Sequence, residues 1–310
     1  MEREEKELLG GKIHFLELRC RVLRLIRAFF ESEGFLEVET PLLTAAPAPE
    51  LHISPIPAGP SLFLSTSPEL HMKRLLAAGY EKIYQLTRSF RAGEQGRFHH
   101  PEFAILEWYR LGADYKDLQR DCQNLARFVC RAVAQGSDLT FQGAPLDFEG
   151  QWERVSVREA FLRFAGWDPG ANPDEDRFDV DMTEKVQKNL GFPTPCIFED
   201  YPARFAALAR IKPDHPEVAE RFELFWAGIE LANGFSELTD PVEQRMRFLS
   251  VIEEKRRTEG KLYPMPEEFL KSLENLGPCA GIAFGVDRFV MLLADAHSID
   301  DVVAFRPDTA

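Results

Sequence analysis

The chain has 310 residues, of which 45% are hydrophobic and 28% charged, the composition of an ordinary globular protein. Its longest apolar runs are too short to span a bilayer, and its charged N-terminus lacks the apolar segment of a secretion signal, so we expect a cytoplasmic protein. The net charge of −14 argues against a broad basic face for nucleic acid, and five cysteines without CxxC spacing argue against a zinc site.

The first third of the chain predicts two helices separated by short strands and a proline-rich loop. Apolar residues at helical spacing predict a helix over residues 15–33, with Gly34 at its end. Residues 35–43 (FLEVETPLL) alternate as in a strand, and five prolines mark the loop that follows. After a short strand (SLFLSTS), residues 68–79 predict a second helix that ends at a glycine.

The rest of the chain predicts strands that pair mostly antiparallel. Strands in residues 81–91 and 100–110 are joined by a glycine-containing loop, and an amphipathic helix follows over residues 115–135. Residues 141–220 are irregular and acidic, which predicts an insertion with one strand (PCIFEDY). Further strands and helices complete the core in residues 221–234, 241–257 and 286–296. This order favours an α+β fold, with a mostly antiparallel sheet flanked by helices.

The stretch RSFRAGEQGRFHHPEFAILEWYR (residues 88–110) concentrates arginines, histidines, glutamates and aromatic residues. Arg91 ends its first strand, and Arg288 begins a helix much further along the chain. A planar guanidinium binds phosphate or carboxylate oxygens through two hydrogen bonds and keeps its charge. Either arginine alone would more often be a surface ion-pair residue. Together they predict a site that offsets the charge developing at a reacting phosphate.

Two glutamates seven residues apart, Glu223 and Glu230, predict a magnesium site. In a helix this spacing places both on one face, whereas in a strand it requires a kink at Gly228. Oxygen ligands from two carboxylates suit a hydrated Mg²⁺ that bridges phosphates. The spacing alone equally permits a solvated acidic edge.

A second group of residues would enclose a small cation. Glu107 and Glu237, with Tyr109, would surround an ammonium group, because a buried cation requires carboxylate partners. The alternative for each glutamate is that it is an exposed strand residue without a binding role. A site of this kind rejects an amino acid that lacks the terminal amine.

A third group would hold a nucleotide. Phe103 would stack on a purine ring, with Arg288 over the other face of the ring, although a lone phenylalanine is more often part of the core. His99 and His100 lie in the loop before it, where they would meet the outer phosphates. The three groups together describe a pocket for a nucleotide, a divalent metal and a small cation. That combination indicates activation of an amino acid by ATP.

Three ordered motifs resemble those of the class II aminoacyl-tRNA synthetases. GFLEVETPLL resembles motif 1; FRAGE, HHPEF and EWY together resemble motif 2; and GIAFGVDR resembles motif 3. TSPELHMKRLL and ANGFSEL are similar to segments of the lysyl subgroup. The similarity extends from about residue 12 over nearly the whole chain, and it implies the α+β catalytic domain of this class.

The resemblance implies a role for each candidate residue. The ATP-binding residues would be Arg91, Glu94, His99, Phe103, Glu223 and Arg288. The magnesium ligands would be Glu223 and Glu230, and the catalytic pair would be Arg91 and Arg288. The substrate amino acid would contact Glu69, Glu107, Tyr109, Asn233, Glu237 and Ala283, with Glu69 and Asn233 nearest its α-amino group.

Two positions depart from the usual motifs. Gly93 stands where motif 2 has a glutamate, so Glu94 is the best candidate to meet the adenine amino group. Ala283 replaces a glycine that is usual in lysyl-tRNA synthetases. Its methyl group would reshape the pocket toward an altered substrate backbone such as that of β-lysine.

The domain organisation implies a particular branch of the class. About 14 residues precede the first predicted helix, so we expect a tail (1–14) and a single catalytic domain (15–310). An anticodon-binding domain, which lysyl-tRNA synthetases carry at this end, needs roughly 50 residues or more. The chain therefore resembles the free-standing paralogues that transfer lysine or β-lysine from an adenylate to a lysine side chain of elongation factor P. The resemblance also implies a homodimer through motif 1, with no stable nucleic-acid binding and no membrane association.

Two other functions stay open at this point. A short lysyl-tRNA synthetase would charge transfer RNA through its acceptor stem. A non-catalytic paralogue would only sense an amino acid or a nucleotide, and it would be free to lose the phosphate and metal ligands that this sequence retains. The sequence also does not choose between lysine and β-lysine as the donor.

Overall fold

The computed structural model describes residues 3–306, and its centre is a nine-stranded sheet. Within this range the strands are, in chain order, β1 Leu36–Glu37, β2 Leu43–Thr44, β3 Phe63–Leu64, β4 Lys82–Phe90, β5 Glu102–Leu111, β6 Leu139–Phe141, β7 Ala144–Leu146, β8 Glu153–Ser156, β9 Cys196–Pro202, β10 Ile211–Lys212, β11 His215–Trp226, β12 Ile229–Ser236 and β13 Cys279–Gly285.

The helices alternate with these strands along the chain. They are α1 Arg3–Gly11, α2 Ile13–Ser32, α3 Glu69–Ala77, α4 Tyr115–Ala134, α5 Val157–Phe164, α6 Glu175–Asp181, α7 Pro241–Glu259, α8 Glu267–Ser272 and α9 Val286–Leu293. A π-helical turn spans Met182–Val186, and 3₁₀ turns span Gln187–Asn189, Ala203–Phe205 and Leu273–Asn275. No helix in residues 3–306 has both the length and the apolar character required to cross a membrane.

The order of strands in the central sheet is β1-β4-β5-β13-β12-β11-β9-β8, and β10 pairs with β11. All the inner pairs are antiparallel, whereas the pairs at the two ends, β1 with β4 and β8 with β9, are parallel. The prediction of an α+β fold with a mostly antiparallel sheet is therefore confirmed.

Local sequence signals begin and end the long helices. The Asp114 side chain accepts hydrogen bonds from the first backbone amides of α4, and the Asp117 side chain accepts one from the backbone amide of Asp114, which makes a capping box. The Asp240 side chain accepts hydrogen bonds from the first amides of α7, and Pro241 occupies the first turn of that helix. Gly260 ends α7 with a φ of 67°, a left-handed conformation that glycine adopts without strain.

The two faces of the sheet have different coverings. Helices α2, α4 and α9 bury one face in the largest core cluster, which includes Leu106, Trp108, Ile282 and Phe284. Helices α3 and α8 pack near the opposite face and form a smaller apolar cluster around Met72 and Phe269. Because the second covering is incomplete, part of that face is left open for a site.

Some predicted boundaries differ from the structure. Residues 35–43 form the two-residue strand β1 and the first residue of β2 instead of one long strand. Pro41, which has no amide hydrogen to donate within a sheet, lies between them. The segment expected as a tail contains α1. The segment 141–220, expected to hold one strand, contributes β8, β9, β10 and the start of β11 to the central sheet. Residues 1–2 and 307–310 of the expected tail and domain lie outside the described residues. All five cysteines are free thiols, and all but Cys20 are buried.

Candidate active site

Alternation along the strands directs a row of polar residues to the open face of the sheet. On β5, Leu106 and Trp108 enter the large core, so Glu107 and Tyr109 project from the opposite face. Ala283 on β13 lies directly opposite Glu107 in the antiparallel register. These three residues, which the sequence assigned to amino-acid recognition, are therefore neighbours.

The register extends this row onto the next two strands. Asn233 on β12 pairs with Ala283, and Glu223 on β11 pairs with Asn233. Residues that face each other in adjacent antiparallel strands share one face of the sheet. The row therefore runs across four strands and joins segments that are far apart in the chain.

A cavity of about 1260 Å³ opens above this row. Of the residues proposed from the sequence, those that line it are Glu69, Arg91, Glu94, His99, Phe103, Glu107, Tyr109, Glu230, Asn233, Ala283 and Arg288. Glu223 and Glu237 do not line the cavity. Glu223 is paired with Arg221, which does line it, and Glu237 is paired with Lys73 beneath it. A volume of this order accommodates a nucleotide together with a small ligand.

Beneath the cavity, the ammonium group of Lys73 lies between two glutamates. Lys73 on α3 is fully buried, 2.5 Å from a carboxylate oxygen of Glu69 and in contact with Glu237. Burial alone would lower the pKa of Lys73, but the charges of Glu237 and Glu69 raise it above its ordinary value. Glu237, expected to meet a substrate amine, is thus already paired with a cation of the chain, and its contact with a substrate stays a prediction.

Glu107 has hydroxyl partners and no cationic partner. Ser67 Oγ donates a hydrogen bond of 2.7 Å to Oε1 of Glu107, and the Tyr109 hydroxyl donates one of 2.7 Å to Oε2. Burial and the nearby charge of Glu69 raise the pKa of Glu107 to about 7. A carboxylate held in this way is ready to receive an ammonium group from a ligand.

Arg91 stands at the end of β4, beside the residues expected to bind adenine. Its guanidinium carbon lies 4.9 Å from the centre of the Phe103 ring, and its Nη1 is 3.6 Å from Glu94 Oε1. Its Nε is buried without a hydrogen-bond partner in the structure. An unused buried donor indicates a place for an anionic ligand oxygen.

Arg288 is held at the other side of the cavity. It donates hydrogen bonds to the backbone oxygens of Phe98 (3.2 Å) and Glu230 (2.8 Å), and its Nη1 is 3.3 Å from the Glu230 carboxylate. Its Nη2 lies 2.6 Å from Nε2 of His99. Burial and the Arg288 charge lower the pKa of His99, so its neutral ring accepts this hydrogen bond. The two predicted phosphate-binding residues thus form one unit.

The two predicted magnesium ligands come together through a hairpin. The chain is extended from Glu223 and reverses at Ala227 and Gly228, both with positive φ, while the register shifts after Leu224. The kink that an extended segment required at Gly228 is therefore present. Burial, and then the charge of Glu230, raise the pKa of Glu223 above its ordinary value.

The donor set fits a magnesium ion that is held partly by phosphates. Within residues 3–306 there is no cluster of three or more His, Cys, Asp or Glu side chains suited to a metal. Mg²⁺ is commonly bound through one or two carboxylates while substrate phosphates and waters supply the remaining oxygens. Two neighbouring carboxylates that repel each other, as here, are stabilised by such a cation.

Sequence reasoning missed three charged residues of the site. Lys73 follows Glu69 by four residues in a predicted helix, a spacing that indicates an ion pair. Arg221 precedes Glu223 by two residues in a strand, and its Nη2 is 2.8 Å from that carboxylate. Glu50 lines the cavity from the proline-rich loop, and no local pattern marks it. His100 also lines the cavity, and its Nε2 lies 2.6 Å from Oδ1 of Asp300.

The fold and the pocket define a class of protein, and comparison with known families agrees. The chain matches the family described as tRNA synthetases class II (D, K and N) over residues 12–309. It belongs to this class II tRNA synthetase family.

Curated relatives place the chain within one branch of the family. It is 40% identical over 313 aligned residues to the "Elongation factor P--(R)-beta-lysine ligase" of Vibrio cholerae serotype O1, an alignment that covers 95% of this chain and 96% of the relative. It is 42% identical over 312 residues to the protein of the same name from Klebsiella pneumoniae subsp. pneumoniae, with 94% of each chain covered. The chain is thus a member of the elongation factor P–(R)-β-lysine ligase family.

Proposed function

We propose that the protein is an ATP-dependent ligase that activates lysine or β-lysine as an aminoacyl-adenylate and transfers it to a lysine side chain of elongation factor P. The observation that carries the proposal is that one cavity contains two guanidinium groups and, within the same row of residues, a carboxylate without a cationic partner. The arginines suit phosphates, and the carboxylate suits the terminal amine of the donor.

In the first step, a carboxylate oxygen of the amino acid attacks the α-phosphorus of ATP, and pyrophosphate leaves. Arg91 would bind the α-phosphate and the attacking carboxylate, and Arg288 would bind the outer phosphates with His99. The step requires no protein nucleophile, so positioning and electrostatic stabilisation supply most of the acceleration. Glu223 and Glu230 would hold Mg²⁺, which offsets phosphate charge when it is bound.

In the second step, the neutral ε-amine of the acceptor lysine attacks the acyl carbon of the adenylate. An amide bond forms, AMP leaves, and the amine loses one proton to solvent. Phe103 and Glu94 would hold the adenine during both steps. The methyl group of Ala283, opposite Glu107, would favour a donor whose amine lies on the β-carbon, because it narrows the pocket beside the donor backbone.

The proposal is tested by the intact mass of elongation factor P after incubation with the protein, ATP, Mg²⁺ and either lysine or (R)-β-lysine. We expect the mass of one lysyl residue to be added, and (R)-β-lysine to be the better donor. Arg91→Ala should lower the rate by about 100-fold or more, since it removes a stabilising group at the reacting phosphate. Arg131→Ala, which removes an exposed ion pair on α4, should leave the rate unchanged.

Two results would contradict the proposal. Charging of transfer RNA, with no label on elongation factor P, would identify a short lysyl-tRNA synthetase. An absence of ATP–pyrophosphate exchange with every amino acid would identify a non-catalytic paralogue. The proposed reaction takes place in the cytoplasm, where ATP and the acceptor protein are available, and it requires no stable complex with nucleic acid.

A further inference from the structure

The acidic side chains of the cavity differ in whether they are already neutralised. In the described part of the chain, each Asp or Glu that lines the cavity has a Lys or Arg nitrogen within 4 Å, except Glu50 and Glu107. Glu69, which the sequence assigned to the inner amine of the substrate, is paired with Lys73. Two carboxylates therefore remain for cations that a ligand brings.

Glu50 has a defined position although it lies in a loop. Lys255 donates a hydrogen bond of 2.8 Å to the backbone oxygen of Ile53, and the amide of Ala92 donates one of 2.8 Å to Ser54. The second bond ties the loop to the residue that follows Arg91. The loop thus places Glu50 on the side of the cavity where Arg91 lies at the end of β4.

Glu50 and Glu107 share the same electrostatic neighbours. The charges of Glu69 and Arg91 act on both carboxyl groups, and Arg221 and Lys73 act on Glu50 in addition. Glu50, Glu107 and Arg91 line the same cavity, so a ligand bound there has both carboxylates and the guanidinium group in its surroundings. Each carboxylate, if ionised and left without a cation in this desolvated place, would cost free energy.

We infer that Glu50 is a further specificity-determining residue, which binds the amino group nearer the substrate carboxylate while Glu107 binds the terminal amino group. The inference rests on the proposed function and deepens it. A diamino acid brings one carboxylate for Arg91 and two ammonium groups for the two free carboxylates, so all the charges are matched. An amino acid with a single amine leaves one carboxylate without a partner, and the site rejects it.

Calorimetric titration with three ligands separates the two carboxylates. The ligands are (R)-β-lysine, 6-aminohexanoate, which lacks the inner amine, and 3-aminohexanoate, which lacks the terminal amine. Glu50→Gln should raise the Kd of (R)-β-lysine by about 30-fold or more, because it truncates one partner of a desolvated charge pair. It should leave the Kd of 6-aminohexanoate within about twofold, since that ligand has no group at Glu50.

The matched variant gives the opposite pattern. Glu107→Gln should weaken (R)-β-lysine and 6-aminohexanoate, and it should leave 3-aminohexanoate unchanged. Glu268→Gln, in an exposed pair with Lys271 on α8, should change none of the three constants. Circular dichroism checks folding, which Glu50→Gln should not impair because it removes a charge that burial and Glu69 disfavour.

The inference is overturned if Glu50→Gln weakens (R)-β-lysine and 6-aminohexanoate equally, which would show a general effect on the pocket, or if it weakens neither. Should the folded unmodified protein bind neither lysine nor (R)-β-lysine, the proposed function itself would fail. Binding of both by the unmodified protein, without the selective loss in Glu50→Gln, would reject only the role of Glu50.

Discussion

Identical side chains have different roles in this cavity because their partners differ. Glu69 and Glu237 are held by Lys73, whereas Glu107 receives only hydroxyl hydrogen bonds. A carboxylate that is paired within the chain contributes to structure, and one that lacks a cation is available to a ligand. The assignment of roles among the glutamates therefore depends on distances that a sequence does not state.

The pKa of Glu107 predicts how amino-acid binding depends on pH. Its pKa is about 7, raised by burial and by Glu69, and opposed by hydrogen bonds from Ser67 and Tyr109 and by the charge of Arg91. Below this pH the group is neutral and does not attract an ammonium ion. Because the pKa of Glu50 is also raised to about 7, we expect the Kd of lysine to fall by at least about tenfold for each unit from pH 5 to near 7, and then to level off. Calorimetry at constant ionic strength measures this.

The raised pKa of Glu107 affects stability in the opposite direction: a higher pH favours ligand binding but lowers the free energy of unfolding. Because the folded state keeps a proton on Glu107 that the unfolded state has lost above pH 4.5, the contribution of this group to stability falls as the pH rises through about 7. In Glu107→Gln the pH dependence of binding should become flatter, because one of the two titrating carboxyl groups is absent. A Kd that is constant between pH 5 and 8 in the unmodified protein would contradict the assignment.

Lys73 gives a second prediction at this scale. Lys73→Met leaves Glu69 and Glu237 buried without a cation, so we expect a loss of about 3–5 kcal/mol in the free energy of unfolding. The matched control is Lys271→Met, which breaks an exposed pair and should cost about 1 kcal/mol or less. Urea denaturation of both variants decides this, and similar losses in the two would refute the structural role of Lys73.

At the scale of elements, the antiparallel register of β5 and β13 builds the floor of the cavity. Gly281 lies opposite Tyr109, and Ala283 lies opposite Glu107, so small residues of β13 leave room for large ones of β5. A Cβ at position 281 would overlap the Tyr109 ring and a carboxylate oxygen of Glu237. The glycine is therefore required by close packing and not by its backbone conformation.

Gly281→Ala should consequently damage both the floor and the stability of the protein. We expect a loss of about 1–3 kcal/mol in the free energy of unfolding, as is usual for overpacking, together with weaker lysine binding. At Gly277 a Cβ would meet no atom within 4 Å, so Gly277→Ala should change stability by about 0.5 kcal/mol or less. Chemical denaturation compares the two, and an unaffected Gly281→Ala would show that the floor can adjust.

At the scale of the whole molecule, the segment that resembles motif 1 exposes several apolar side chains. Leu36 is 52% exposed and Leu43 is 48% exposed. Exposed apolar residues concentrated in one short segment are typical of a surface that associates. This observation supports the proposed homodimer.

Light scattering at micromolar concentration should therefore give twice the chain mass of 35.4 kDa. Leu36→Glu should shift the protein toward the monomer, because it places a charge in the proposed interface. Val180→Glu is the matched control, since Val180 is also 52% exposed but belongs to α6. A monomer in the unmodified protein, or an equal effect of the two substitutions, would reject this interface.

The sequence by itself determined the elements whose signals are local. Caps such as Asp114 and Asp240 begin their helices, and alternation marks β4 and β5. The motifs identified the family, and most of the site residues that they predicted line the cavity. These features depend on a few adjacent residues, so they can be predicted from the sequence alone.

Only the tertiary structure decided which charges are paired. Lys73 meets Glu237 from a distant helix, the turn at Gly228 brings Glu223 beside Glu230, and a proline-rich loop brings Glu50 to the cavity. Electrostatic interactions depend on separation in space and on desolvation, and both are properties of the folded chain. The acidic residues were therefore apparent in the sequence, but the two left free for a ligand were defined by packing.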